Sequence, residues 1–293
     1  MHDAALEKKG FIMQKTWFIT GASRGLGVDI AKAALAAGDR VVATGRQRSQ
    51  VADALGPDND RLLSLALDVT DAGQAQTAVA EAVARFGGID VLVNNAGYGH
   101  LGYFEETTPD DVEAQFATNV FGLLNVTRAA LPVMRSARGG RIFNLSSVAG
   151  MRGSEMGSLY CATKWAVEGF SEALALELAP FGVKVTIIEP GPFRTGFLTP
   201  ESIRFGAKAI PDYEERRTAQ RATFEQRNGK QPGDPVKLAD AMVRLANEAA
   251  PPLRFTAGAL AVNTFASKLG AMQAELEKWR ALGVATDGPD GHW

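Results

Sequence analysis

The 293 residues carry 31 basic and 33 acidic side chains, a formal charge of -2, and 46% of them are hydrophobic. That composition supplies ample core for a folded protein and lacks the basic excess expected of a nucleic-acid binder. One cysteine, Cys161, excludes an intrachain disulfide, and no run of about 18 apolar residues reads as a membrane span.

The stretch from Met1 to Lys15 includes Asp3 and Glu7 and no long apolar segment. It does not read as a secretory signal, so a cytoplasmic protein is expected. Residues 1–14 are expected to form a loose extension, within which Met13 offers an alternative start; 15–283 are expected to form one domain and 284–293 a polar tail.

Residues 17–20 read as a short apolar strand that enters Gly21-Ala22-Ser23-Arg24-Gly25-Leu26-Gly27 and then a helix to about Ala37. Glycines in a strand-to-helix turn let the backbone approach a phosphate, whose charge the helix N-terminus favours. A glycine run also makes a bare turn, and the context decides between the two. Strands are expected at 41–44, 62–67 and 89–94 with helical patterns between them. That is a βαβαβ half of a doubly wound sheet, which binds ligands at the carboxyl ends of its strands.

The second strand ends in Thr44-Gly45-Arg46, where an NAD-binding unit would present an acid to the adenosine ribose. Arg46, together with Arg24, suits a ribose 2′-phosphate instead, unless Arg24, Arg46 and Arg48 are only solvated surface charges. Asp68 either accepts from the adenine amino group or caps the helix that starts near Asp71; with Val69 it is assigned to the cofactor cleft.

Asn94-Asn95-Ala96-Gly97 opens a polar turn that runs to Gly102, and a helical pattern from Pro109 to Met134 contains Asn119. An amide inside an apolar helix needs partners, either local backbone or a water. A fifth strand at 140–145 ends in Ser146 and Ser147, and a sixth at 183–189 ends in Pro190-Gly191 at the same rim. Tyr160 and Lys164, four apart at a helix start, lie one turn apart on one face. By itself this pair is a common helical coincidence. Beside the rim it places a phenol next to a cation, which favours phenolate and suits proton transfer.

These motifs resemble the classical short-chain dehydrogenase/reductase family: Thr-Gly-x-x-x-Gly-x-Gly at 20–27, Asn-Asn-Ala-Gly at 94–97, Asn119, Ser147, Tyr160 with Lys164, and Pro190-Gly191 follow the family order. Residues 160–170 and 189–195 are most similar to the branch of 17β-hydroxysteroid and retinol-dehydrogenase-like enzymes. The resemblance implies an α/β Rossmann-type, doubly wound, parallel seven-stranded sheet with helices on both faces and a helical substrate lid. With Arg24 and Arg46 at the cofactor cleft, NADP(H) is expected to be preferred over NAD(H), and no metal is expected. The cofactor would be held by Gly21, Ser23, Arg24, Gly25, Leu26, Gly27, Arg46, Asp68, Val69, Asn95, Ala96, Gly97, Tyr160, Lys164, Pro190, Gly191 and Thr195.

In the roles so implied, Tyr160 exchanges a proton with the substrate oxygen and Ser147 orients that oxygen. Lys164 holds the nicotinamide ribose and biases Tyr160 toward phenolate, and Asn119 holds a water that links Lys164 to solvent. Ser147 is preferred to Ser146 because it stands thirteen residues before Tyr160; Ser146 is left to satisfy the backbone of the neighbouring turn. The helices around Asn119 and Tyr160 imply a homodimer or homotetramer, with Phe170, Leu174 and Leu178 on the contact face or against the sheet.

Residues 193–235 no longer read as sheet and are expected to form one to three helices over the site. Phe197, Leu198, Ile203, Phe205, Ile210, Tyr213 and Phe224 either line a pocket for a hydrophobic alcohol or ketone or anchor this segment. No cation is placed for a substrate carboxylate or phosphate. Helices at 234–247 and 264–282 flank a seventh strand at 254–256. Two other functions fit part of the pattern: a non-catalytic NADP-binding regulatory protein, which the intact Asn119, Ser147, Tyr160 and Lys164 oppose, and a sugar-nucleotide epimerase or dehydratase, which the glycine spacing opposes.

Overall fold

A computed structural model describes residues 14–199 and 202–288. The expected N-terminal extension except Gln14, the alternative start at Met13, and the end of the tail lie outside these described residues. All seven expected strands form one parallel sheet: β1 (Thr16–Ile19), β2 (Arg40–Gly45), β3 (Leu62–Ala66), β4 (Val91–Asn94), β6 (Gly140–Leu145), β7 (Val183–Pro190) and β9 (Arg254–Ala257). Their order is β3-β2-β1-β4-β6-β7-β9. The order reverses at β1, so the ends of β1 and β4 diverge from a crevice at the expected rim.

Strands covered on both faces must be apolar along their length, and that is how β1 reads. Phe18 pairs with Val42 on one side and Leu92 on the other. Phe18 packs with α3 (Ala72–Phe86), α5 (Leu123–Ser136) and α6 (Ser158–Leu178), while Trp17 and Ile19 face α1 (Gly25–Ala36) and α8 (Pro235–Asn247). α2 (Arg48–Leu55) completes the first crossovers.

Local capping explains several helix boundaries. The Asp71 carboxylate accepts from the Gln74 N–H at the start of α3, which ends at left-handed Gly87. Asp68 is therefore not the cap; it accepts instead from the Thr70 backbone and hydroxyl. Thr108 and Asp111 form a reciprocal capping box on α4 (Pro109–Phe116), with Pro109 in its first turn.

The expected continuous helix from 109 to 134 is interrupted. Between α4 and α5, residues 117–122 form a π-helical turn around Asn119. The wider turn is where Gly122 meets β3's end: a Cβ there would stand 2.5 Å from Val69 Cγ2. Such bulges fit an extra residue into a helix and recur near functional sites.

The segment 193–235 departs from the expectation of helices alone. It contains short 3₁₀ turns and α7 (Glu214–Arg227), but also β8 (Ile203–Phe205), which pairs in parallel with β5 (Gly99–Leu101). Its main anchor is ionic. Buried Glu106 pairs with buried Arg217 of α7 and accepts from the Ile210 N–H at 3.0 Å. The apolar residues divide between roles: Ile203 is buried, Tyr213 stacks on Tyr103 at 4.2 Å, and Phe205 lies under the Arg221 guanidinium.

The last helix, α9 (Ala259–Val284), is longer than expected, and only Ala261 and Phe265 of it are buried. Within α6, Leu174 and Leu178 are committed to the sheet, whereas Trp165 and Leu176 point outward. Among the described residues, no helix is long and apolar enough to cross a membrane.

Candidate active site

The turn between β1 and α1 is locked by the turn after β4. Asn95 Nδ2 donates to Thr20 O at 2.8 Å and Gly21 O at 3.1 Å, while Thr20 Oγ1 accepts from the Asn95 and Ala96 N–H groups. Gly21 and Gly25 have φ of +67° and +56°, in the left-handed region that favours glycine. A Cβ at Gly27 would lie 2.4 Å from Gly21 O and 2.7 Å from Asn95 Nδ2. The three glycines thus bring α1 close under its own loop, and the residue at the N-cap, Arg24, does not cap the helix with its side chain.

A cavity of about 440 Å³ opens over this turn. Gly21, Ser23, Arg24, Gly25, Leu26 and Arg46 line one end; Asp68, Val69, Asn95, Ala96 and Gly97 continue the wall; Tyr160, Lys164 and Pro190 stand at the other end. The remaining expected site residues are not in its wall. Gly27 lies beneath the turn, and Gly191 packs against Ala261. The Thr195 Cβ is 3.8 Å from where a Cβ on Gly25 would stand, which puts it over the phosphate turn.

Two of the arginines at the end of β2 are now distinguished. Arg48 pairs with Asp58 at 2.6 Å and is outside the cavity, whereas Arg46 is exposed in its wall. An acid at position 45 would force a neighbour to shift, since a Cβ there would stand 2.9 Å from Val51 Cγ2.

At the other end, β6 delivers Ser146 and Ser147, and α6 begins two residues before Tyr160. Lys164 is buried and its Nζ donates to Leu145 O at 2.6 Å, lying 5.7 Å from the Tyr160 ring centre. Burial pushes the lysine down to about 8, against the pull of Glu168. Burial also pushes the Tyr160 phenol well above its ordinary value, and the facing Ser147 hydroxyl only partly opposes it. This runs against the expected bias toward phenolate, because desolvation disfavours the charged form and the Lys164 ammonium is held to Leu145 O.

The two serines also divide their work differently from expectation. Ser147 Oγ accepts from the Ala149 N–H at 3.1 Å, so it is this serine that satisfies the next turn's backbone. Ser146 is buried and directed toward Glu168. Asn119 uses its amide on backbone: Oδ1 accepts from Tyr98 N–H at 3.1 Å, and Nδ2 donates to Tyr98 O at 2.9 Å and to Thr163 Oγ1 at 3.2 Å. It fixes the wall residue Tyr98 to α6.

Residues 15–203 match the family model described as short chain dehydrogenase. The chain belongs to the short-chain dehydrogenase family. It is 39% identical over 275 residues to oxidoreductase BOA17 of Botryotinia fuckeliana, spanning 94% of this chain and all of that protein. It is 38% identical over 250 residues to the 3-ketodihydrosphingosine reductase of Bacteroides thetaiotaomicron, spanning 85% of this chain and 89% of that one. A solved short-chain dehydrogenase from Streptomyces avermitilis superposes with a TM-score of 0.84 at 41% identity, covering 93% of this chain and all of that chain. Membership makes the protein an NAD(P)-dependent oxidoreductase that works by hydride transfer.

Sequence reasoning missed part of this short-chain dehydrogenase's cavity. Tyr98, Ser202 and Arg204 line it, beside Phe197, which was expected either there or as an anchor. Phe197 leans on Tyr160, with ring centres 5.6 Å apart at 49°. Arg204 supplies a cation in the wall, 5.0 Å over the Tyr98 ring, where none was expected. Their proximity depends on the β5–β8 pairing, and no local pattern in either segment signals it.

Proposed function

We propose that the protein is an NADP(H)-preferring reductase or dehydrogenase that interconverts a hydrophobic secondary alcohol and its ketone, or a related alcohol and aldehyde, with Tyr160 as general acid and base. One observation carries this reading: Tyr160, faced by the Ser147 hydroxyl, and Lys164 stand at one end of a cavity whose other end is the N-terminus of α1 with Arg24 and Arg46 in its wall. The positive-φ glycines and the buried approach at Gly27 fit a pyrophosphate drawn close to backbone N–H groups. Arg46 and Arg24 fit a 2′-phosphate, and the competing acid is replaced by Gly45, where a Cβ would crowd Val51. Solved family members at 27% identity include complexes with NADP and with NADH, so the preference rests on these side chains.

When bound, the nicotinamide supplies or accepts the hydride. The rest falls to the chain. In reduction, the protonated Tyr160 phenol donates to the substrate oxygen and Ser147 hydrogen-bonds the same oxygen, stabilising the charge that develops on it. Lys164 would hydrogen-bond the nicotinamide ribose and, through a water held at Asn119, would let a proton from solvent replace the one that Tyr160 has given up. In oxidation the same groups run in reverse, and Tyr160 takes the proton.

Phe197 against Tyr160 supports an apolar substrate, as does the resemblance to the hydroxysteroid and retinol branch. The Bacteroides relative, named for a ketone, supports the reaction class. We read 15–283 as one domain with 193–235 as its lid, working in the cytoplasm. Phe121 and Trp165, both outward-facing on the helices at Asn119 and Tyr160, support a homodimer or homotetramer.

The test is NADPH oxidation with a panel of apolar ketones, in wild type and Tyr160→Phe. The variant keeps the ring and loses the proton, so turnover should drop at least about a hundredfold with NADPH affinity retained. Near-normal turnover in Y160F would remove Tyr160 from the chemistry, and binding without turnover on any ketone would favour the regulatory protein.

A further inference from the structure

Behind the reacting end of the cavity lies a buried charge cluster that the roles above leave unused. Glu168 follows Lys164 by one helical turn on α6 and is 4% exposed; Glu189 on β7 is fully buried. Arg254 of β9 reaches both carboxylates through one atom: its Nε stands 3.3 Å from Glu168 Oε2 and 3.4 Å from Glu189 Oε1. Its outer edge turns away to Glu172 at 3.2 Å. The Thr256 hydroxyl donates to Glu189 Oε2 at 2.6 Å. Ser146 from the end of β6 and Gly150 close the remaining side, since a Cβ at Gly150 would lie 2.4 Å from Ser146 Oγ and 2.9 Å from Glu168 Oε1.

The cluster is short of hydrogen-bond donors. Among the described residues, both oxygens of Glu168 and Oε1 of Glu189 have no well-aligned donor. The two carboxyl groups face the same Arg254 Nε from two different elements, and a proton on one of them would supply a donor that their bare oxygens lack. Two buried carboxylates facing a single divided guanidinium cannot both ionise without large cost, so such pairs titrate as a unit.

We propose that Glu168 and Glu189 share one proton and that the remaining negative charge, placed by Glu168 one turn from Lys164, keeps the lysine ammonium charged. The pair is a positioning device that acts through Lys164, and only that second half rests on the catalytic reading above. Burial supports it from both sides: Glu189 is pushed up to about 7, Glu168 is raised as well, and Glu168 is the group that opposes the fall of Lys164. The facing groups are Lys164, Glu168 and Glu172 on α6, Glu189 on β7, Arg254 and Thr256 on β9, and Ser146; together they hold more acids than bases.

The two acids then have opposite effects on the lysine. Glu168→Gln removes the negative charge beside it. Glu189→Gln removes the competitor for ionisation, so Glu168 becomes fully charged. The experiment is an NMR titration of the ligand-free protein with carboxyl-labelled glutamate and labelled lysine, the Lys164 signal being assigned with Lys164→Arg. Wild type should show a glutamate that titrates near about pH 7, absent from both Gln variants. The Lys164 midpoint should fall by about one pH unit in E168Q and rise in E189Q.

Absence of any glutamate titrating near neutrality in wild type overturns the shared proton, with no variant required. A lysine midpoint that stays put, or moves the same way in both variants, overturns the link to Lys164. A purely structural role would lower stability in both variants and leave the midpoint unmoved. Failure of the reductase reading would appear separately, as NADPH that is never turned over.

Discussion

Replacing Lys164 by methionine should make the resting protein more stable while abolishing its turnover. Lys164 is 7% exposed, and burial moves its pKa from 10.5 to about 8. At about 1.36 kcal/mol for each tenfold change in proton affinity, holding the charged lysine in place costs the folded state about 3 kcal/mol near neutrality. Methionine keeps the length of the stem and removes that cost. It also leaves Leu145 O without the 2.6 Å lysine hydrogen bond, a loss of about 1–2 kcal/mol. The expected balance at pH 7 is a gain of about 1–2 kcal/mol, or a few degrees in Tm.

The sign of the pH dependence follows from the depressed folded pKa. The native state releases this proton before the unfolded chain does, so wild-type stability from this group rises between about pH 8 and 10.5 and is lowest below that window. The advantage of K164M should therefore be full at pH 7 and shrink across the window. Urea unfolding of both proteins at several pH values measures it. A variant less stable than wild type at pH 7, or a gap independent of pH, would refute the reasoning.

Arg46→Asp should reverse cofactor preference, because a charge-assisted phosphate contact is worth about 1.5–3 kcal/mol; kcat/KM for NADPH over NADH should fall at least about tenfold, and an unchanged ratio would move the 2′-phosphate elsewhere. Phe197→Ala should lower kcat/KM for bulky apolar ketones more than for small ones, since Phe197 touches Tyr160 in the cavity wall. Phe205→Ala should show no such size dependence, its ring being covered by Arg221 outside the cavity; equal effects of the two would reject the assigned wall. Phe121→Asp with Trp165→Asp should convert an oligomer to the 31.1 kDa monomer by light scattering, and a wild type already at that mass would sink the proposed interface.

What was legible in the sequence was whatever is written locally. β1 through β4 are apolar runs because both faces are covered, and the glycine turn is visible because backbone approach leaves a compositional mark. What was not legible depends on partners distant in the chain. Arg46 and Arg48 read alike until Asp58 claims one of them. The π turn at Asn119 was hidden because the apolar pattern runs straight through it, while the break comes from Tyr98 and Val69 packed against it. Nothing local marks Glu106 and Arg217 as partners, since 111 residues separate them and only folding buries them together. The tyrosine's direction of shift was misjudged because spacing reveals a neighbouring cation but not the loss of water around the phenol.

The short β5–β8 ladder couples access to the site with backbone rather than side-chain chemistry. Gly99 N–H donates to Ser202 O at 2.9 Å and Gly206 N–H to Leu101 O at 3.0 Å, and neither bond depends on which side chains flank it. Positions such as Phe197, Ser202 and Arg204 can thus be exchanged for other residues while the loop that carries them stays moored. The cavity lining and the mooring of the loop that carries it are therefore separable in this chain, which makes these three positions the natural starting library for varying what the cavity accepts.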